Sequence, residues 1–194
     1  MKYNSEIYHR RSIRLKGYDY SQPGVYFITL CCQRRKHFFG EIVQDEMVMN
    51  DAGAMVVDWF YELENKFPDI KCGEMMVMPN HIHFIVKITE KYNVGADLCV
   101  CPFSQSQTSP IMGEIKGEHI GSPLHLVVGW LKTMTTNAYI RGVRDDGWQR
   151  FDGKLWQRNY WEHIILNEKS LKNIRNYIIN NPAKWAEDEL NYTK

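Results

Sequence analysis

The stretch Met78-Pro79-Asn80-His81-Ile82-His83-Phe84-Ile85-Val86 constrains this chain more than any other. Pro79-Asn80 is a turn pair. A run of β-branched and aromatic residues follows directly, so the sequence predicts a hairpin whose second strand opens at His81. Side chains alternate faces along a strand. His81 and His83 therefore share one face, while Ile82 and Phe84 anchor the other. Two neutral imidazoles side by side on a rigid strand make half of a metal site. The same spacing also suits two partly exposed histidines that hold nothing, so the pair needs partners from elsewhere in the chain.

The 194 residues suit one domain with room for a substantial core. With 44% hydrophobic and 24% charged residues, the composition is that of a soluble globular protein. No apolar run is long enough to span a bilayer. Met1 to Lys16 is polar and basic without an apolar centre, so it does not read as a secretory signal, and a cytoplasmic location is expected. The five cysteines, Cys31, Cys32, Cys72, Cys99 and Cys101, are odd in number and form no paired Cys-x-x-Cys framework, which points to reduced thiols. Cys99-x-Cys101 is the one spacing among them that could bind a soft metal.

Net charge is +1, yet the charges are unevenly spread. A basic arm carries Lys2, Arg10, Arg11, Arg14 and Lys16 against Glu6 alone. Glu41 to Asp69 is acidic, and Lys132 to Arg175 turns basic again. A basic face with an acidic back can bind nucleic acid at a near-neutral pI, and it can equally be ordinary solvated surface.

Taken in order, residues 1–24 read as the arm, ending in a turn at Gln22-Pro23-Gly24. Val25 to Cys32 is an unbroken β-branched and aromatic run, hence a central strand with both faces covered. A short second strand is expected within His37 to Val43. Asn50 or Asp51 caps a helix whose apolar stripe is Met55, Val56, Trp59, Phe60 and Leu63; its flank of Asp58, Glu62 and Glu64 would repel phosphate, so it is scaffold. Lys71 to Met78 and His81 to Ile88 form the histidine hairpin. Residues 90–122 have no sustained period and read as a flexible insertion. Pro123 opens a helix with its stripe on Leu126, Val127, Trp130, Leu131, Met134 and Ala138, leaving Lys132, Thr133, Thr135, Thr136 and Asn137 largely off it. Leu155 to Ile165 is strand-like. Asn167 opens a last helix with Leu171, Ile174 and Ile178 inward, ended by Asn180-Asn181-Pro182. A tail from Ala183 to Leu190 packs back through Trp185.

That last helix offers the missing partners. Tyr177 and Asn181 are four apart, hence on one helical face at the edge of the apolar stripe. Docked against the histidine hairpin, the helix supplies a phenol and an amide oxygen. Two imidazoles and one amide around a cation leave open positions for a phosphate. A phenol can attack a phosphodiester and conserve the bond as phosphotyrosine. A structural role remains open for both residues: Tyr177 as cover for the core edge, Asn181 as a helix terminator.

Together, His81-Ile82-His83, the helix that follows, Trp156-Gln157-Arg158-Asn159-Tyr160-Trp161-Glu162-His163 and Tyr177-Ile178-Ile179-Asn180-Asn181-Pro182 resemble the single-tyrosine (HUH) transposases of bacterial insertion sequences, and most of all their REP-associated tyrosine transposase branch. The resemblance runs over residues 10–188 apart from the insertion. It implies a ferredoxin-like (RRM-like) α+β sandwich, an antiparallel sheet with helices packed on one side. It maps the nucleophile to Tyr177 and a magnesium or manganese site to His81 and His83. The third ligand maps to Asn181, where better-known members carry a longer glutamine. Two imidazoles suit zinc or manganese better than magnesium. The implied reaction cleaves single-stranded DNA near a hairpin, leaves a 5′-phosphotyrosine and a free 3′-hydroxyl, and later reseals the strand without a nucleotide cofactor. DNA contacts fall to Arg10, Arg11, Arg14 and Lys16 in the arm and to Lys132, Arg158 and Lys172 along the strand's path. Relatives are monomers or helix-exchanged homodimers, and no membrane partner is implied.

Two other readings fit the same residues. One is a catalytically inactive RRM-like module binding DNA or RNA on sheet aromatics such as Tyr26, Phe27, Trp156 and Tyr160. The other is a phosphodiesterase that uses water, with Tyr177 structural. Replacing Arg10, Arg11 and Arg14 by alanine is expected to weaken DNA binding and to flatten its dependence on salt, because each phosphate contact removed lowers the number of counterions released. A salt titration of hairpin binding checks this, and unchanged binding would take the arm out of the interface.

Overall fold

A computed structural model of the chain describes residues 23–89 and 123–191. Arg10, Arg11, Arg14 and Lys16 of the arm, and the insertion with Cys99 and Cys101, lie outside the described residues. Strand β1 (Gly24–Cys31) is the unbroken apolar run. A short 3-10 turn at Gln33–Arg35 leads to a hairpin of β2 (Gly40–Val43) and β3 (Glu46–Met49). Helix α1 (Asp51–Lys66) is followed by β4 (Ile70–Met78) and β5 (His81–Ile88), then by α2 (Pro123–Asp145), β6 (Trp161–Ile165), α3 (Glu168–Ile179) and a 3-10 segment at Pro182–Glu187.

The four long strands form one antiparallel sheet in the order β4-β5-β1-β6. With α1 after β1 and α2 after β5, this is the β-α-β-β-α-β pattern of the ferredoxin-like fold. Helices α1 and α2 cover one face. Val56, Phe60 and Leu63 of α1 and Leu124, Val127, Val128 and Leu131 of α2 meet Tyr26, Ile28 and Leu30 of β1 and Ile82, Phe84, Val86 and Ile88 of β5. The opposite face carries a smaller cluster, Phe27, Ile85 and Ile165 under Ile178 of α3. Strand parity thus divides β5 cleanly: Ile82 and Phe84 belong to the main core, and the two histidines face the side that α3 crosses.

Asn50 caps α1, its Oδ1 accepting from Gly53 N at 3.0 Å while its Nδ2 donates to Phe38 O at 3.0 Å. That double use supports β3, a four-residue strand the sequence pattern hides: the cap ties the end of the hairpin to the chain that enters it. In α2 the buried stripe is rotated from the expected one. Leu126 is 40% exposed, whereas Thr135 is fully buried. Thr135 Oγ1 satisfies itself by donating to Leu131 O and accepting from the indole of Trp156 at 2.9 Å, which lets a hydroxyl take a core position. The expected strand from Leu155 shortens to Trp161–Ile165 because Trp156 is committed to this core and pairs only at an isolated bridge with Cys32. Cys31, Cys32 and Cys72 are free thiols. Among the described residues no helix is long and apolar enough to cross a membrane.

The strand that bears the histidines is therefore held by its other face. Phe84 is fully buried with its ring centroid 5.3 Å from that of Phe60. Phe84→Ala is expected to cost about 3–5 kcal/mol, the range for emptying a buried aromatic site. Urea unfolding of the variant checks this; a loss below about 1 kcal/mol would mean that the core is not packed around this ring.

Candidate active site

The site lies where β5, β1, α3 and the segment after α3 meet. His81 and His83 are buried on one face of β5. In the antiparallel register they lie opposite Cys31 and Thr29 of β1. Their Nε2 atoms point at each other, 3.0 Å apart. Each Nδ1 faces an oxygen: Asn80 Oδ1 at 2.7 Å from His81, and Thr29 Oγ1 at 2.8 Å from His83.

The tautomer of His81 follows from Asn80. The Asn80 Nδ2 donates to two carbonyls, Leu190 O at 2.8 Å and Arg35 O at 3.2 Å, so its amide oxygen is the end that meets the imidazole. An amide oxygen only accepts. His81 must then carry its proton on Nδ1 and present a bare Nε2 to the site. Thr29 leaves His83 two options. Donating into Nδ1, the hydroxyl leaves an Nε2–H that bonds to His81. Accepting from Nδ1–H, it leaves two lone pairs converging on one point, an arrangement that a cation satisfies. Burial holds His83 down at about 3, and burial, with repulsion from His83, Arg35 and His37, holds His81 well below its usual value. Both rings are thus neutral and ligand-competent at physiological pH.

Oxygen donors surround the pair. Asp188 brings a carboxylate so that its oxygen and the two imidazole nitrogens all lie within 4.8 Å of one another. Asn181, 2% exposed, donates from Nδ2 to Asp188 Oδ2 at 3.4 Å, and its buried Oδ1 has no hydrogen-bond partner. A hard or borderline cation would be served by this set of two imidazoles, a carboxylate and a neutral amide oxygen. Nothing in the sequence pattern marks Asp188, which lies beyond the helix terminator in a tail legible only as amphipathic.

Tyr177 reaches in from α3. Its hydroxyl is 3.3 Å from His83 Nε2, its ring meets His83 at a centroid distance of 5.2 Å, and Phe27 packs edge-on beneath it at 6.0 Å. The residue as a whole is still 44% exposed. Burial of the hydroxyl and the charges of Asp188 and Glu189 push its pKa up, while a hydrogen bond from Asn181 pulls it down. Trp185 closes the far side, 6.0 Å from the His81 ring and 5.7 Å from His37.

The remaining expected residues are placed apart from this cluster. Lys132 Nζ donates to the carbonyls of Gln157 at 2.6 Å and Arg158 at 3.0 Å, so it clamps a loop. Arg158 and Lys172 are exposed. Of the aromatics in the binding-module reading, Tyr26 is wholly buried, Phe27 is 9% exposed and Trp156 is 4% exposed, because the first and last serve the main core and Phe27 floors the site, while Tyr160 is partly buried against that core.

Fold and site together define an α+β sandwich of ferredoxin-like class with a His-x-His pair on a central strand and a tyrosine on the facing helix. No family model matches the chain. It is 39% identical over 193 residues to an uncharacterized protein of Haemophilus influenzae, covering 97% of each chain. It is 21% identical over 181 residues to an H. influenzae protein provisionally named a REP-associated tyrosine transposase, covering 89% of this chain and 77% of that one. The solved structure of a REP-associated tyrosine transposase bound to a REP hairpin has the same fold, with a TM-score of 0.50 at 17% identity over 83% of this chain and 67% of that one. The chain is thus similar in sequence to a protein named a REP-associated tyrosine transposase, and shares the fold of a solved one.

The depressed histidines set a pH dependence in the absence of metal. The unfolded chain takes up protons near pH 6.5, and the folded one does so only near 3 for His83. Below 6.5 the unfolded state binds more protons, so stability falls as the pH falls, by about 1.4 kcal/mol per pH unit for one such histidine. Urea unfolding in chelator between pH 7 and 4.5 should show this slope, and His83→Gln should flatten it. Equal slopes in the two proteins would mean that His83 is not buried as a neutral ring.

Proposed function

We propose that the protein is a metal-dependent endonuclease and strand transferase for single-stranded DNA at hairpin-containing sites, with Tyr177 as its nucleophile. One observation carries the reading: the phenol of Tyr177 lies 3.3 Å from His83 Nε2, which in turn lies 3.0 Å from His81 Nε2. A water-using phosphodiesterase has no need of a half-exposed tyrosine directed at its metal ligands.

His81 and His83 would hold a divalent cation, Mg2+ or Mn2+, with Asp188 and Asn181 as oxygen donors. When bound, such a cation draws charge from the phosphate oxygens and lowers the cost of forming a phenolate beside it. Tyr177 attacks the phosphorus: the phenol O–H breaks with its proton passing to solvent, the O–P bond forms, and the P–O3′ bond breaks. The leaving 3′-oxygen takes up a proton and becomes a free hydroxyl, while the 5′-phosphate stays on Tyr177. A 3′-hydroxyl reverses these steps to rejoin a strand and regenerate the phenol. The Asn181 amide steadies the phenolic oxygen as charge develops on it. Phe27 and the backbone of α3 fix the ring so that attack comes from one direction. Arg158 and Lys172, both exposed, join the arm residues Arg10, Arg11, Arg14 and Lys16 as phosphate contacts in this reading. Lys132 serves this interface by holding the loop that carries Arg158.

Covalent trapping tests the reading. Full-length protein is mixed with labelled single-stranded DNA hairpins in Mn2+ or Mg2+, and protein–DNA adducts are resolved under denaturing conditions. Wild type should form an adduct, whereas Tyr177→Phe, His81→Ala and chelator-treated protein should form none above background. An adduct that survives in Tyr177→Phe moves the nucleophile elsewhere, with Tyr160 next in line. Tight hairpin binding with no adduct on any substrate favours a binding module.

A further inference from the structure

We propose that Asn80 couples the two histidines to the segment that follows α3, so that Asp188 joins the metal site only while that segment is docked. The inference rests on the metal-site reading above and adds to it a positioning residue and a dependence of the site on the tail.

Asn80 is 1% exposed, and both ends of its amide are committed. Its oxygen fixes His81 with Nε2 bare. Its nitrogen donates to Leu190 O at 2.8 Å and to Arg35 O at 3.2 Å. The peptide unit on the other side of Leu190 completes a loop of contacts, since Leu190 N donates to Asp188 Oδ1 at 2.6 Å. Asn80, Leu190 and Asp188 therefore form a relay from the Nδ1 of His81, outside the site, to a carboxylate inside it. The same side chain that orients one ligand also holds the peptide that orients another.

Beyond this relay, Asn181 Nδ2 donates to Asp188 Oδ2 at 3.4 Å, Asn191 Nδ2 donates to Trp185 O at 2.9 Å, and Pro182 at the start of the segment is buried. Arg35 donates to Glu189 O at 3.3 Å, and Trp185 rests on His81 and His37. Ala183, Lys184, Ala186, Glu187 and Glu189 are exposed. A segment whose side chains are mostly exposed opens at lower free-energy cost than β5 in the middle of the sheet. The histidines are thus a permanent half of the site and Asp188 a removable one. Lifting the segment takes away the carboxylate and frees the Asn80 amide to turn, which releases the tautomer of His81. By linkage, a cation held by all three residues stabilises the docked segment as much as docking strengthens its binding.

The test measures Mn2+ binding to the full-length protein by calorimetry, together with hydrogen exchange of the amides at 188–190 with and without Mn2+. Wild type should bind Mn2+, and His81→Ala should lose it. Asp188→Asn and Asn80→Ala should each weaken binding by about 10- to 100-fold, the usual effect of removing a group that orients or completes a ligand set. The double variant should fall short of the product of the two losses, because the two residues act through one carboxylate. Mn2+ should slow exchange at 188–190 in wild type and not in Asn80→Ala. Trp185→Ala loosens the segment while leaving Asn80 in place, and should weaken Mn2+ binding in the same direction. It keeps the inference testable if Asn80→Ala does not fold. Wild-type affinity in Asn80→Ala, losses that multiply in the double variant, or unchanged affinity in Trp185→Ala would overturn the coupling and leave the histidine site standing. No Mn2+ binding by wild type, or equal binding by His81→Ala, would overturn the metal site itself.

Discussion

The pairing of β5 on both edges is the constraint on which the rest depends. β1 and β4 flank it through antiparallel ladders over nearly its whole length. Its backbone therefore cannot shift, and a slip of one residue would send Phe84 and Ile82 to the wrong face along with the histidines. The main core and the site are two sides of one register. Burying Ile82, Phe84, Val86 and Ile88 against α1 and α2 is also what aims His81 and His83 at α3.

Two buried imidazoles placed this way are costly unless their nitrogens are satisfied. The chain meets that need on the outer side with Asn80 and Thr29, and leaves the inner side facing inward on itself. Asn181 adds a buried amide oxygen without a protein partner, a deficit of about 1–3 kcal/mol in a core position. The approach to the site carries backbone strain as well: Arg34 and Arg35 sit at φ 56° and 51°, in the left-handed region that favours glycine. An unmet acceptor and strained arginines around one cluster are what a scaffold tolerates where something else is bound.

The sheet and its helices were legible because their signals are long and periodic. The apolar run of β1, the Pro79-Asn80 turn, the Asn50 cap and the Asn167 cap all act where sequence pattern and local physics agree. Strand and helix periodicity placed His81 with His83, and Tyr177 with Asn181, on shared faces, while the roles expected of them came from the family resemblance. What was hidden depends on tertiary contact. β3, Glu46 to Met49, is a four-residue strand that ends at the Asn50 cap, too short for its alternation to stand out. Thr135 is buried because Trp156 needs an acceptor. Lys132 reads as a free cation until the carbonyls of Gln157 and Arg158 are placed against it. Asp188 has no periodicity to betray it, since a 3-10 turn after Pro182 brings it back to the sheet.

The position of α3 explains why a sandwich with helices on one side can carry chemistry on the other. Two long helices already enclose the main core, so the second face needs only partial cover. A short helix supplies that cover through Leu171, Ile174 and Ile178, without closing the groove beside it. The ion pair of Arg175 with Glu74 at 2.6 Å ties the same helix to β4. Its groups are partly exposed, so it contributes orientation more than stability. Helical spacing then turns Tyr177 off the buried stripe and toward His83, half in contact with the ring and half in solvent. A tyrosine one position away along the helix would be either sealed in the cluster with Ile178 or directed away from the histidines. The angle of α3 on the sheet, set by three aliphatic side chains, is thus the element that brings the phenol to the imidazoles.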